Sequence, residues 1–233
     1  MAQNGRQAHQ LPAGRHGLPR EYVVQNQRER ILRAVTDVVS VAGFSAMSVE
    51  DIIATAGVSR RTFYDHFSSK DDAFLAQYDV ISAALLQRVA AAYDPEMPLP
   101  ERGDHCLTAA MEYFCEDPAC AEMCIVQSVA AGPEAMERRD NAIRALSAII
   151  DEAAKELPKR RLPPEMTSQV VVGGIYQIMY SYILRGKLSE LPELVPDMLY
   201  TLLYPYLGRE DAQAAQKAAA ERGARARRTA AKA

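Results

Sequence analysis

The chain has no tryptophan, and aromatic residues make up only 7% of its 233 positions. That scarcity weighs against a β-sandwich, whose strand faces draw on aromatic and β-branched side chains. No run of about eighteen consecutive apolar residues occurs, so no membrane span is expected. There is no apolar stretch of the kind that follows a charged start in a secretory signal. G-x-S-x-G, H-E-x-x-H, the P-loop and G-x-G-x-x-G are all missing, and the four histidines are scattered without an evident acid–base pair. Neither an enzyme nor a bound cofactor is expected. Cysteine is confined to Cys106, Cys115, Cys120 and Cys124. With no secretory signal, these thiols are expected to be reduced and the protein cytoplasmic.

What the chain does have is 48% hydrophobic residues, mostly Ala, Leu, Val and Ile, which points to an all-α fold. Residues 1–24 are polar and rich in Gly and Pro at the start, and read as a flexible arm. From Gln25 to Ala42, apolar residues such as Ile31, Val35 and Val39 recur at helical spacing and stop at Gly43. Ser48 with Asp51 three residues later has the form of a capping box for a second helix. Gly57 breaks that helix, Ser59 is placed to cap a third from Arg60 to about Phe67, and Ser68 or Ser69 opens a fourth that runs to about Ala92. The proline-rich stretch from Asp94 to Pro100 is a loop. Further helical patterns follow at about 101–116, 118–131, 133–157, 165–185 and 191–207. The Ala- and Arg-rich stretch 209–233 has almost no large apolar residue and reads as a basic, disordered tail.

Charge is divided unevenly. Residues 1–70 carry nine Lys/Arg against six Asp/Glu, residues 71–216 twelve against twenty-three, and residues 217–233 six against one. An acidic body with basic ends orients a molecule on a polyanion.

The stretch GVSRRTFYDHFSSK, residues 57–70, concentrates hydrogen-bond donors on one short helix. Phe63 and Phe67, four apart, share a buried face and leave Arg60, Arg61, Thr62, Tyr64 and His66 outward or along the edges. Arginines near the helix start reach guanine edges, whereas Thr, Tyr, His and Lys more often hold phosphates. Lys70 sits where the next helix begins, so its ammonium and the free backbone N–H groups are placed to grip a phosphate together. Two short helices about a glycine turn, the second loaded with donors, form the pattern of a helix-turn-helix DNA reader.

Here the sequence resembles the TetR family (TetR/AcrR type) of bacterial transcriptional regulators. The resemblance rests on Ser48-Val49-Glu50-Asp51-Ile52-Ile53, Ala56-Gly57-Val58-Ser59, Thr62-Phe63-Tyr64-Asp65-His66-Phe67, and Lys70, across residues 25 to 74. It departs at Ile53, where family members commonly carry a small residue. The resemblance implies a three-helix DNA-binding head, residues 25–70, whose DNA-contacting set is Ser48, Arg60, Arg61, Thr62, Tyr64, His66 and Lys70. It also implies a helical effector-binding and dimerising domain, residues 71–208. The expected function is a ligand-responsive regulator, most simply a repressor. It would bind a near-palindromic operator in double-stranded DNA as a homodimer and be released by a small apolar or amphipathic effector.

For the effector site, the Met- and aromatic-rich middle suggests Met111, Phe114, Cys115, Met123, Gln127, Tyr176, Met179 and Tyr180. For the dimer interface, Gly173 and Gly174 permit close helix approach, and Val172, Gly173, Ile183, Leu199 and Leu203 are the candidates on the two strongly apolar helices. The Cys106–Cys124 cluster leaves a thiol- or metal-sensing regulator of the same fold as an alternative, although no nearby His completes a zinc pattern and no metal site is assigned. An enzyme, or a helical interaction protein that has lost DNA binding, is the alternative of a different class; the donors of the third helix are intact, as the latter would not require.

Overall fold

The computed structural model describes residues 19–158 and 162–230, and among these no β-strand forms. The all-α expectation holds. Residues 1–18 of the expected arm lie outside the described residues. The remainder of the arm is helical, because α1 runs Arg20–Ala42, five residues earlier than the periodicity placed it, directly after Pro19. Gly43 then stops it with φ 77. There follow α2 (Val49–Ala56), α3 (Arg60–His66) and α4 (Lys70–Ala92).

The described chain forms two compact units that divide at Gln77/Tyr78, within α4, rather than at Lys70/Asp71. In the first, Ile31, Val35 and Val39 of α1 converge with Ile52 of α2, Phe63 of α3 and Phe74 of α4, all with zero exposure. A buried hydrogen bond from Gln77 Nε2 to Thr36 Oγ1 (2.8 Å) ties α4 to α1 inside this unit. The paired polar groups avoid the penalty of burying either alone.

The second unit holds α5 (Leu99–Glu116), α6 (Pro118–Ala121), α7 (Pro133–Ala154), α8 (Thr167–Leu184), α9 (Val195–Leu207) and α10 (Arg209–Ala230). A π-helical turn, Glu122–Gln127, follows α6, and a 3₁₀ segment, Leu188–Leu194, precedes α9. The wide turn is held by Tyr176, whose hydroxyl donates to the Ile125 carbonyl at 2.7 Å.

The basic tail is where structure and sequence expectation differ most. Residues 209–230 form a helix that buries Ala212, Ala215 and Ala219 in one cluster with Val171, Leu199, Leu202 and Leu203. Large apolar residues are not needed there, because an alanine stripe lets the α10 backbone approach α9 closely. Gln216 Nε2 donates to Asp197 Oδ1 (2.7 Å), and Arg222 grips the buried Asp104 of α5 through Nε (2.8 Å) and Nη2 (2.7 Å).

Candidate nucleic-acid interface and effector cavity

Local rules build the reader. Ser48 caps α2 in a reciprocal box: its hydroxyl accepts from Asp51 N at 3.2 Å, while Asp51 Oδ2 accepts from Ser48 N at 3.0 Å. Gly57 ends α2 in the left-handed region, φ 63, which a residue with a Cβ adopts only at a cost. Ser59 caps α3 by accepting from Thr62 N at 3.0 Å. The half-buried Ile53 is accommodated, and its carbonyl accepts from the Gly57 and Val58 amides that form the turn.

Sequence reasoning did not find Arg30. Its Nη2 donates to the Gly57 carbonyl (2.9 Å) and to that of Ala56, so α1 clamps the turn between the two reader helices. The available signal was a cation on the inner edge of α1, one residue before the buried Ile31. Arg28 lies 5.6 Å from the Phe67 ring centroid and closes the other side.

On α3, Phe63 is fully buried and packs against Phe67 with centroids 5.9 Å apart. Arg60, Arg61 and Tyr64 stay exposed, and Thr62 and His66 are half-buried. Arg60 forms an ion pair with Glu50 of α2. Both side chains are largely exposed, so the pair contributes at most about 1 kcal/mol and yields readily to a competing anion. Thr62 Oγ1 lies 2.8 Å from Ser59 Oγ and supports the cap. Burial, reinforced by Arg28 and opposed by Asp65, holds the His66 pKa below its usual 6.5. His66 is therefore neutral at pH 7. Because its folded-state value is depressed, its share of head stability is complete above the unfolded value and is lost as pH falls through the lowered one.

Lys70 has work inside the head. Its Nζ donates to the Met47 carbonyl at 2.8 Å and the Phe44 carbonyl at 3.3 Å, and it lies 5.0 Å from the Phe44 ring centroid. The ammonium braces the loop before α2. Lys70→Ala is expected to lower head stability by about 1.5–3 kcal/mol, the range for hydrogen bonds to a charged group, read from a urea titration followed by circular dichroism. Unchanged stability with a shallower salt dependence of DNA binding would instead give Lys70 to a phosphate alone.

In the second unit, α4, α5, α7, α8 and α9 enclose a cavity of about 170 Å³. Of the residues put forward for an effector site, Met111, Phe114, Tyr176 and Met179 line it, and Cys115, Met123, Gln127 and Tyr180 do not. Met123 is fully buried in the π turn, Gln127 Nε2 donates to Glu122 Oε1 (3.0 Å), and the Cys115 thiol donates to the Leu188 carbonyl (3.4 Å). The sequence reading missed the cavity faces of α4 and α7, including Leu85, Val89, Ile143 and Leu146. Helical periodicity does not say whether the space facing an apolar stripe is filled.

Both arginines on the wall have a carboxylate partner. Arg102, 4% exposed, donates from Nη1 to Tyr93 Oη (2.7 Å) and Glu156 Oε1 (2.7 Å), and from Nη2 to Glu156 Oε2 (2.5 Å). Arg139 donates to Asp140 Oδ1 (2.8 Å from Nη2) and stands 5.6 Å from the Tyr176 ring centroid. Two thiols, Cys106 and Cys124, also reach the wall. Burial pushes the Cys106 thiol up to about 11, and Cys124 and Cys115 are raised as well, so these three are protonated at neutral pH and poor nucleophiles. Among the described residues no group of three or more His, Cys, Asp or Glu is placed to hold a metal ion. Neither observation favours the thiol- or metal-sensing alternative.

Of the dimer candidates, four are enclosed within the chain. Val172, Ile183, Leu199 and Leu203 are buried within the single chain, Val172 and Leu203 against the cavity and Leu199 in the α9–α10 core. Helices α8 and α9 are apolar nearly all round, so sequence could not tell the inward stripe from the outward one. The outward stripe carries Val170 (67% exposed), Ile178 (41%) and Tyr204 (50%). Gly173 is half-buried and Gly174 exposed, and a Cβ on either would meet nothing within 4 Å.

A capped two-helix reader with exposed cations, in a chain whose second unit holds an apolar cavity, is the arrangement of a DNA-binding regulatory protein. The model of the bacterial regulatory proteins, tetR family, matches residues 31–76, from the first buried residue of α1 into α4. No curated protein matches the chain. Similar folds occur in the fatty acid degradation regulator FadR from Bacillus halodurans (TM-score 0.68, 16% identity, 76% of this chain and 94% of that one). They occur also in FadR from Bacillus subtilis in complex with stearoyl-CoA (0.65, 15%, 77% and 98%), and in a tetR-family regulator from Syntrophomonas wolfei (0.63, 18%, 79% and 96%). Among the described residues no helix is long and apolar enough to cross a membrane.

Proposed function

We propose that this protein is a cytoplasmic repressor that binds a near-palindromic operator as a homodimer and is released by a small apolar or amphipathic effector held in the cavity of its second unit. The observation that carries the reading is the division of α3: Phe63 anchors it in the core, and Arg60, Arg61 and Tyr64 are exposed to solvent. Arg60 and Arg61 are assigned to base edges. Tyr64, Thr62 and the neutral His66 hold the backbone, and Ser48 presents the start of α2. The outward stripe of α8 and α9, with Val170, Ile178 and Tyr204, is the proposed dimer face in place of the buried candidates. Pairing across a two-fold axis doubles the contacts on a palindromic site. A similar fold carries stearoyl-CoA in the Bacillus subtilis regulator, which supports a mostly hydrocarbon effector here. Such a molecule acts only if it binds two conformations with different affinity.

A mobility-shift assay on the DNA flanking the gene, at fixed salt, tests the reading. Arg61→Ala is expected to cost about 1–3 kcal/mol on the preferred site and to relax base preference at one position of each half-site. An equal loss on every sequence would move Arg61 to the phosphates. Wild-type protein that ignores duplex DNA at low ionic strength would remove the proposed function altogether.

A further inference from the structure

An acid on the reader is out of place for a surface that meets a polyanion. Glu50 lies in the first turn of α2, and its Oε1 pairs with Nη2 of Arg60, the first residue of α3. The two side chains remain 58% and 60% exposed, so burial holds neither of them there. Glu50 takes no part in capping α2, because Asp51 closes the box with Ser48. Its structural contribution is confined to the dipole at the start of α2 and to a weak surface pair. Against that stands the repulsion between its carboxylate and any phosphate that approaches Arg60. The charge therefore acts chiefly on what Arg60 can bind.

We propose that Glu50 and Arg60 together read one G·C base pair, Arg60 on the guanine and Glu50 on the amino group of its cytosine. This deepens the operator reading above and rests on its assignment of Arg60 to a base edge. A guanidinium carries several N–H donors in a fixed fork, so Arg60 keeps enough of them for a two-pronged contact while Nη2 also serves Glu50. Side by side, the two side chains present donor, donor and acceptor. In the major groove a G·C pair presents N7 and O6 as acceptors and then the cytosine N4–H donor, whereas an A·T pair presents acceptor, donor and acceptor. The first pattern complements the pair, in one orientation, and the second does not. Charge points the same way. An Arg60 that moves to a phosphate leaves Glu50 without its partner beside the anionic backbone, whereas an uncharged guanine lets the ion pair persist. Glu50 is thus a specificity residue that turns Arg60 from phosphates to a base, at some loss of total affinity.

The test selects sites for the full-length protein from a randomised duplex pool, then measures affinity for the selected duplex and for poly(dA-dT), which contains no G·C pair. Wild type is expected to select one fixed G·C pair in each half-site, and Arg60→Ala and Glu50→Ala are each expected to relax the preference there by about tenfold. The double variant should lose no more at that pair than Arg60→Ala alone, since the two side chains act as a unit. On poly(dA-dT), Glu50→Ala is expected to bind up to about fivefold more tightly, with a salt slope steeper by about one as Arg60 takes up a phosphate. Glu50→Gln keeps an acceptor oxygen and loses the charge, so it should retain more of the G·C preference than Glu50→Ala while sharing its gain on poly(dA-dT). Glu50→Ala relaxing no position, or only one that Arg60→Ala leaves untouched, would overturn the shared reader. So would an equal gain on every duplex with the selected sequence unchanged. These results leave the operator reading standing, whereas wild-type protein that enriches no sequence removes both.

Discussion

Phe63→Ala is expected to abolish operator binding without removing one DNA-facing atom. The ring has zero exposure and packs on Phe67 and the edge of Tyr64, and it is what fixes the seven-residue α3 to the rest of the head. A helix so short has no stability of its own in water. Truncating a fully buried Phe costs about 3–5 kcal/mol, comparable with the whole stability of a small domain. The head should unfold or populate open forms, seen as a loss of helical ellipticity and an early urea transition. The body should keep its own transition, since the two units are separately compact. Operator affinity within tenfold of wild type, at unchanged helicity, would show that α3 is held by something other than this ring.

Arg222→Ala should produce the largest effect on the body of any surface change. Asp104 is 5% exposed on α5, and Arg222 of α10 is its cationic partner at 2.7 Å. Removing one member of a buried pair leaves the other uncompensated, which costs about 3–5 kcal/mol when both are enclosed. Arg222 is 39% exposed, so water replaces part of what is lost, and about 2–3 kcal/mol is the expected destabilisation. The double variant Asp104→Asn, Arg222→Ala should recover most of it, because the charge that suffers is gone. Thermal unfolding of the three variants measures this directly. If Arg222→Ala is neutral, α10 is held by its alanine stripe alone.

Much of the candidate site was legible because its signals are local. The capping box of Ser48 and Asp51, the left-handed Gly57, the Ser59 cap and the Phe63–Phe67 spacing each involve residues within four positions, and all appear in the structure. Lys70 shows the limit of such reading. Its place before a helix start suggested a phosphate ligand, whereas its ammonium reaches back to carbonyls of Phe44 and Met47, more than twenty residues earlier. The effector candidates divide for the same reason. Met111, Phe114, Tyr176 and Met179 belong to helix faces that do border the cavity, but Cys115 and Met123 point into neighbouring contacts that no periodicity reveals.

By itself the sequence determined the all-helical class, the reader helix with its caps and turn, and the basic and acidic division of the chain. These depend on backbone geometry and on side chains within one or two turns of each other. Tertiary structure alone decided which stripe of α8 and α9 faces inward and that the alanine-rich end is a docked helix. It alone placed the Arg102–Glu156 pair beside a cavity lined from α4, α5, α7, α8 and α9. Each of these turns on partners far apart along the chain, Asp104 and Arg222 being 118 residues apart. Burial and charge compensation are properties of the assembled packing, and no local pattern records which distant side chain supplies them.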